Sequence, residues 1–201
     1  MMKKHFFIIV LAAMSVSLIL TDCSSKKVSA TDSSAMQKKG NQGFTELTDL
    51  PCQSKDSNED YIVVSGDGKS KDRTMAKDRA YMNAFSQLGI KLAGVTSDEN
   101  MRVAVSTNVG YEDFHDKAVT VSKTIAKDVS VAGYRVPCEK FVIYDDGSFG
   151  CFVTLEYGKA KLVKQLYDGM SNEKLIRADY DFDKYMKKFE EDLRTYEKNN
   201  R

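Results

Sequence analysis

The sequence predicts an α+β domain in which a small antiparallel β-sheet packs against one long helix. The first observation is a hairpin, because β-rich runs at about 132–144 and 148–157 flank an Asp-Gly pair at 146–147, and Asp-Gly between alternating apolar runs is a strong hairpin signal. The second is a helical pattern at about 71–93 with small apolar residues at every fourth position. The third is an apolar run at about 61–66, which fits a further strand.

The N-terminal segment, residues 1–22, matches a secretory signal peptide. Two lysines precede an apolar run over 6–20, which is shorter than the roughly 20 residues that a membrane-spanning helix needs. The run ends just before Cys23, and this junction resembles the lipobox of bacterial lipoproteins, although Asp22 stands where a small residue is usual. We therefore expect a diacylated Cys23 at the mature N-terminus, since two acyl chains suffice for stable anchoring.

Residues 23–50 are expected to form the lipidated N-terminus and a flexible tether. This stretch is rich in Ser, Lys, Thr and Gly and has no sustained hydrophobic periodicity. A flexible chain of about 25 residues spans roughly 25–30 Å, which is enough to hold a domain clear of lipid headgroups. Residues 51–201 are expected to form a single α+β domain with C-terminal helices, and Pro51 and Cys52 mark its entry.

The first strand and the long helix are expected to be joined by a glycine-rich turn at 66–68. A nucleotide-binding loop is not predicted there, because the third glycine of a dinucleotide motif and the Gly-Lys-Thr/Ser of a P-loop are both missing. The helix begins near Asp72, whose charge suits a helix N-terminus, and Gly94 is expected to interrupt it. Its stripe would lie closely on the sheet; the members are Ala76, Ala80, Ala84, Leu88 and Leu92.

The stretch 97–130 is ambiguous, because its apolar residues fit both helical and strand spacing. From Phe114 the helical interpretation is favoured as far as about Lys127. His115, the single histidine after the signal peptide, has acidic neighbours. Consecutive residues on a helix point in different directions, so it is interpreted as a surface residue rather than a metal ligand or a catalytic base.

The hairpin is expected to close with a two-residue turn at 146–147. That register gives it a buried face formed by four opposed pairs: Tyr144 with Phe149, Val142 with Cys151, Lys140 with Val153, and Cys138 with Leu155. The other face is expected to be half solvated. It carries Phe141, Ile143 and Phe152 near the turn and Glu139, Thr154 and Glu156 farther out.

Two helices are expected after the hairpin. The first is short and is marked by Leu162, Val163, Leu166 and Met170. The second is amphipathic, and its opposite face is dense in Lys and Glu. It is expected to pack on the domain, or to bind a partner if its stripe is left uncovered; the stripe consists of Phe182, Tyr185, Met186, Phe189, Leu193 and Tyr196.

Three cysteines remain once Cys23 is acylated, and an oxidising compartment would permit a disulfide. On the predicted hairpin Cys138 and Cys151 share a face but lie about four residues out of register, roughly 13 Å along the strand, which is too far for a bond between them. A disulfide would therefore join Cys52 to one of these two residues. The alternative is three small buried apolar residues.

Charge and motifs exclude several functions. Lys and Arg total 30 against 29 Asp and Glu, so no nucleic-acid partner is predicted. No His-Glu-x-x-His or Gly-x-Ser-x-Gly motif is present, and no catalytic residue, metal or cofactor is predicted. We expect a non-catalytic binding or assembly module of the cell envelope. The alternative is a periplasmic small-ligand or peptide-binding lipoprotein with a pocket between the alanine-striped helix and the sheet.

The combination of lipobox, tether, strand, glycine-rich turn, alanine-striped helix and Asp-Gly hairpin resembles the LPP-twenty type of bacterial lipoproteins. Within it, Pro51-Cys52, Cys138-Glu139-Lys140 and the segment 179–182 resemble a branch of small Gram-negative envelope lipoproteins, and the likeness covers about 51–195. The resemblance implies an envelope-located α+β domain and a Cys52–Cys138 disulfide, but no reaction or ligand. The lysines after Cys23 differ from the acidic signal that resembling bacteria use for surface export, so an outer-membrane anchor on the periplasmic face is expected. A membrane contact through the lipid and an envelope protein partner are expected, and the oligomeric state is left open.

Overall fold

The computed structural model describes residues 50–52, 56–106, 108–131 and 133–200, together with the backbone of 38–39 and 45–46. Within this part of the chain, five helices and a three-stranded antiparallel sheet form the domain, which confirms the predicted α+β class. The predicted signal peptide, Cys23 and the tether as far as residue 37 lie outside the described residues. Strand β1 (Lys38–Lys39) pairs with strand β2 (Thr45–Glu46) in a stretch predicted to be tether.

The main sheet has the strand order β3-β5-β4, with β3 at Tyr61–Ser70, β4 at Tyr134–Ile143 and β5 at Phe149–Gly158. Strand β3 runs through the glycines that were predicted to form a turn, so that prediction is wrong. A Cβ atom on Gly66 would lie 2.5 Å from the Ala84 nitrogen, and one on Gly68 would lie 2.5 Å from the Ala80 nitrogen. The glycines are therefore required because a helix backbone lies directly on the strand backbone.

That helix, α1 (Arg73–Thr96), carries the predicted stripe, and all five of its members are fully buried. The Asp72 side chain caps its start by accepting a hydrogen bond of 2.8 Å from the Met75 nitrogen. Gly94 was predicted to interrupt the helix, but α1 continues past it. The Tyr196 ring takes the place of a side chain there, since a Cβ on Gly94 would lie 2.9 Å from Tyr196 Cδ2.

The hairpin differs from the prediction by one residue in register. The Tyr144 nitrogen donates to the Ser148 carbonyl at 2.9 Å and the Gly147 nitrogen donates to the Tyr144 carbonyl at 2.8 Å, and Gly147 has a positive φ of 72°. These bonds define a loop over 145–147 rather than the predicted two-residue turn. Ile143 consequently pairs with Phe149.

The slip exchanges the two faces of β4 but not those of β5. Cys151, Val153 and Leu155 of β5 lie on the α1 side and are buried as predicted. On β4 the α1 side carries Glu139, paired with Val153, and Phe141, paired with Cys151. Tyr144, Val142, Lys140 and Cys138 were predicted to lie on the buried side, and that part of the prediction is wrong.

The remaining helices are α2 (Glu99–Val105), α3 (Tyr111–Val129), α4 (Lys159–Asn172) and α5 (Phe182–Asn199). The ambiguous stretch thus forms two helices rather than strands, and its apolar residues Met101, Val105 and Phe114 are buried. Helix α3 packs between α1 and α4, and α5 packs on α1, α2 and α4. The α5 stripe is covered by the domain itself: Tyr185, Phe189 and Leu193 are buried, and Phe182, Met186 and Tyr196 are partly buried against the core.

Candidate functional site

A disulfide joins the segment before β3 to strand β4. Cys52 and Cys138 are bonded, with their Cα atoms 5.5 Å apart, which matches the pairing implied by the resemblance. The Cys52 carbonyl accepts hydrogen bonds from Thr154 Oγ1 at 2.8 Å and from Ser65 Oγ at 3.1 Å. These residues lie on the face of the sheet that points away from α1, because the alternate residues Gly66 and Gly68 face the helix.

Cys151 is a free thiol on the opposite face of the sheet. It was predicted to share a face with Cys138, and the changed register of β4 is the reason that prediction is wrong. Cys151 is completely buried under α1, and this burial raises the pKa of its thiol. The sheet therefore separates the free cysteine from the disulfide.

A second set of hydrogen bonds holds Ser57, just before β3, against helices α1 and α5. Glu197 Oε1 accepts from Lys91 Nζ at 2.7 Å and from Ser57 Oγ at 2.6 Å. Lys91 Nζ also donates to the Val63 carbonyl at 2.7 Å, while the Val63 nitrogen donates to Ser57 Oγ at 3.0 Å. Burial works to raise the pKa of Glu197, but the hydrogen bonds from Lys91 and Ser57 outweigh it and lower that pKa.

The interface between α1 and the sheet, predicted as the place for a ligand pocket, is filled by side chains. Tyr134 packs against Phe85 and Tyr157, with ring centroids 5.6 and 6.0 Å apart. Glu139 accepts from Tyr81 Oη at 2.7 Å and forms an ion pair of 2.9 Å with Lys77. Burial would raise the Glu139 pKa, yet these hydrogen bonds hold it below its usual range.

Helices α1 and α3 enclose an open groove of about 450 Å³, here named the α1–α3 groove. Its apolar part is unusually exposed, with Met82 70% and Ile90 50% accessible to solvent. Lys123 and Lys127 line its α3 side and have no acidic partner among the residues that the structure describes. The full lining consists of Met82, Phe85, Ser86, Gly89, Ile90, Lys123, Ala126, Lys127 and Ser130.

A second groove of about 610 Å³ lies between α3 and α4, and polar residues make up most of its lining. Its apolar residues are Val121, Ile125 and Gly169, and the helices are close there because a Cβ on Gly169 would lie 2.8 Å from Val121 Cγ1. The side-chain oxygen of Gln165 is buried in this region without a hydrogen-bond partner in the structure. Carboxylates from Asp116, Asp168 and Glu173 contribute to the lining, with Lys117 as the one cation among these lining residues.

The histidine considered in the sequence is held by the backbone. His115 Nδ1 lies 3.3 Å from the Ser97 carbonyl, and its ring centroid lies 5.6 Å from that of Tyr111. Across the described part of the chain, no three His, Cys, Asp or Glu side chains converge on a point that could hold a metal ion. Within that same part, every helix is too short or too polar to cross a bilayer.

The sequence analysis did not identify the α1–α3 groove, although a signal for it was present. Met82, Ser86 and Ile90 repeat every four residues, as the alanine stripe does, but they are offset from Ala84 by two positions. An offset of two residues is about 200° around a helix, so apolar residues in both stripes indicate contacts on two sides of α1. No known protein family, curated protein or solved structure matches this chain.

Proposed function

We propose that this chain is a non-catalytic lipoprotein, anchored in the outer membrane through a diacylated Cys23 and facing the periplasm, whose folded domain acts as a binding or assembly module. The observation that carries the proposal is the Cys52–Cys138 disulfide, which lies just after the predicted tether. Disulfides persist in oxidising compartments such as the periplasm. The lysines and apolar run before Cys23 supply the matching export signal.

The disulfide suits a domain that is held by its N-terminal end. A pull on the tether reaches Cys52 and passes directly to Cys138, which pairs with Thr154 of the central strand β5. Without that bond the same pull would act on β3 alone, whereas with it the load is shared with β4, the other edge strand of the sheet. A covalent link at this point therefore distributes a pull between the two edges of the sheet.

The test is to label cells with an alkyne-tagged palmitate while they produce the full chain, the Cys23→Ala variant or the Cys151→Ala variant. We expect the full chain and Cys151→Ala to take up label and to sediment with outer membranes, because the Cys151 thiol is buried. Cys23→Ala is expected to lose both label and sedimentation. An unlabelled full chain, or label that persists in Cys23→Ala, would contradict the proposal.

A second candidate function, small-ligand binding, is favoured by one observation, the buried Gln165 oxygen without a partner. An acceptor in this situation gains from a ligand that donates a hydrogen bond. Asp168 is paired with Lys164 and Lys117 with Asp113, so the carboxylates of Asp116 and Glu173 are the charges in the lining that favour a cationic amine. A ligand at 100 times its Kd adds about 2.7 kcal/mol to stability, so spermidine should raise the melting temperature of the wild type more than that of Gln165→Leu. Equal shifts in the two proteins would exclude this function for the groove.

A further inference from the structure

We infer that the α1–α3 groove is a docking site for a helix of a partner protein that carries an apolar stripe flanked by acidic residues. This inference deepens the proposed function, because it assigns the binding surface of the module and the chemistry of its partner. It rests on three features of the groove: its exposed apolar floor, its open shape and its two lysines, which have no acidic partner among the described residues.

The apolar floor is exposed on a helix whose other apolar residues are covered. Met82 and Ile90 are 70% and 50% exposed, whereas the stripe from Ala76 to Leu92 is fully buried. Gly89 and Ala126 at the base add no long side chain to the groove. Burial of exposed apolar surface is the dominant favourable term in most protein association, so this floor is the part of the groove that a partner would cover.

The shape of the groove favours a helix over an acyl chain. The groove is open to solvent along one side, and an acyl chain in it would keep much of its apolar surface in water. An amphipathic helix keeps its polar face outward instead, and its anchors at i, i+3 or i+4, and i+7 enter such grooves. The eight residue steps from Met82 to Ile90 span about 12 Å, which corresponds to roughly two turns of a bound helix.

The charge of the groove sets the charge of the partner. Lys123 and Lys127 lie one helical turn apart on the same side of α3, and both are exposed. Lys117 on the same helix is instead paired with Asp113 at 2.9 Å. Two exposed ammonium groups beside an apolar floor attract a helix whose apolar stripe is bordered by Glu or Asp, and they disfavour one bordered by lysine.

The experiment uses the Cys23→Ser variant of the full chain, purified from the periplasm without detergent. Two designed helical peptides are titrated by fluorescence anisotropy; both carry leucines at i, i+4 and i+7, and they differ only in flanking Glu or Lys. We expect the Glu peptide to bind at least tenfold more tightly than the Lys peptide, with the difference reduced by salt. Peptide binding does not need a lipid on Cys23. The peptide titration therefore tests the groove, and the palmitate labelling tests the lipid anchor independently.

Two variants make the test specific to the groove. Lys123→Glu/Lys127→Glu is expected to reverse the preference between the two peptides. Met82→Ser/Ile90→Ser is expected to weaken the binding of both peptides by at least tenfold. All four side chains are exposed, so both variants should retain the fold. The matched control is Lys161→Glu/Lys187→Glu, which makes the same change in net charge at exposed lysines outside the groove. It should leave the preference unchanged.

Four outcomes would overturn the inference. Equal affinity for the two peptides would remove the role of the lysines, and unchanged binding by Met82→Ser/Ile90→Ser would remove the role of the floor. Tight binding to phosphatidylglycerol vesicles that this apolar variant loses would identify a lipid surface as the occupant. If the protein with an unmodified groove self-associates in analytical ultracentrifugation and Met82→Ser/Ile90→Ser abolishes this association, the occupant of the groove would be a second copy of the chain.

Discussion

Breaking the Cys52–Cys138 bond is expected to lower the free energy of unfolding by about 4.5 kcal/mol, which is the loop-closure value for the 86-residue separation that the bond closes. The change to make is Cys52→Ala/Cys138→Ala. The hydrogen bonds from Ser65 and Thr154 go to the Cys52 backbone carbonyl, so the double variant keeps them and the loss isolates the covalent link. Natural domains have only about 5–15 kcal/mol of stability, and this bond is therefore a large fraction of the total.

The assay is urea unfolding followed by circular dichroism, with and without a reducing agent. The double variant should unfold at lower urea concentration, and its slope should be steeper because the unfolded chain is no longer cross-linked. Reductant should destabilise the wild type and leave the double variant unchanged. Cys151→Ala is the control, since it removes a buried thiol on the other face of the sheet and retains the disulfide. A loss below about 1 kcal/mol in the double variant would refute the loop-closure reasoning.

Two further predictions concern the contacts that fix α1. Gly66→Ala should lower the free energy of unfolding by more than about 3 kcal/mol, above the usual range for overpacking, because the new Cβ meets the backbone of Ala84 at 2.5 Å. The control is Gly110→Ala, which has open space around it and should lower the free energy of unfolding by less than about 1 kcal/mol. Equal losses of thermal stability in the two variants would disprove the close contact. Glu197→Gln should lower the free energy of unfolding by about 2 kcal/mol at neutral pH, because Lys91 loses its charged partner and keeps only the Val63 carbonyl and a neutral amide oxygen. The hydrogen bonds from Lys91 and Ser57 hold the pKa of Glu197 below its usual range in the folded state, so its contribution to stability is present at neutral pH and is lost as the pH falls through the acidic range. A difference between Glu197→Gln and wild type that is as large at pH 3 as at pH 7 would contradict this assignment.

The hairpin shows how far the sequence determines a fold and where it stops. Alternation along β5 correctly identified the buried residues of that strand. The loop, however, has the sequence Asp145-Asp146-Gly147, and both a two-residue turn and a three-residue loop can use an Asp-Gly pair. One residue of slip reverses the faces of β4. Glu139 thereby lies against α1, and Cys138 lies on the same side as Cys52.

The glycines of β3 could not be assigned from local pattern, because Gly-x-Gly is equally compatible with a turn and with close backbone contact. Their role depends on another segment. Two residues of strand advance about 6.6 Å and four residues of helix advance about 6 Å, so Gly66 and Gly68 match the spacing of the α1 alanines. The sequence shows the second stripe of α1 that contains Met82 and Ile90, but neither candidate groove could be assigned from it, since each is formed by helices whose packing partners the sequence does not specify.

The close contact between α1 and the glycines of β3 also affects how the α1–α3 groove would bind a partner helix. One side of α1 is held against β3 backbone to backbone at Gly66 and Gly68, where a shift of the helix would separate or overlap main-chain atoms. Glu197 and Lys91 connect the same helix to α5. The α1 wall of the groove is therefore fixed before any partner arrives, and a preformed surface spends little of its binding energy on ordering. The cost of ordering then falls on the partner helix, so the affinity of the groove should follow the intrinsic helicity of whatever segment it binds.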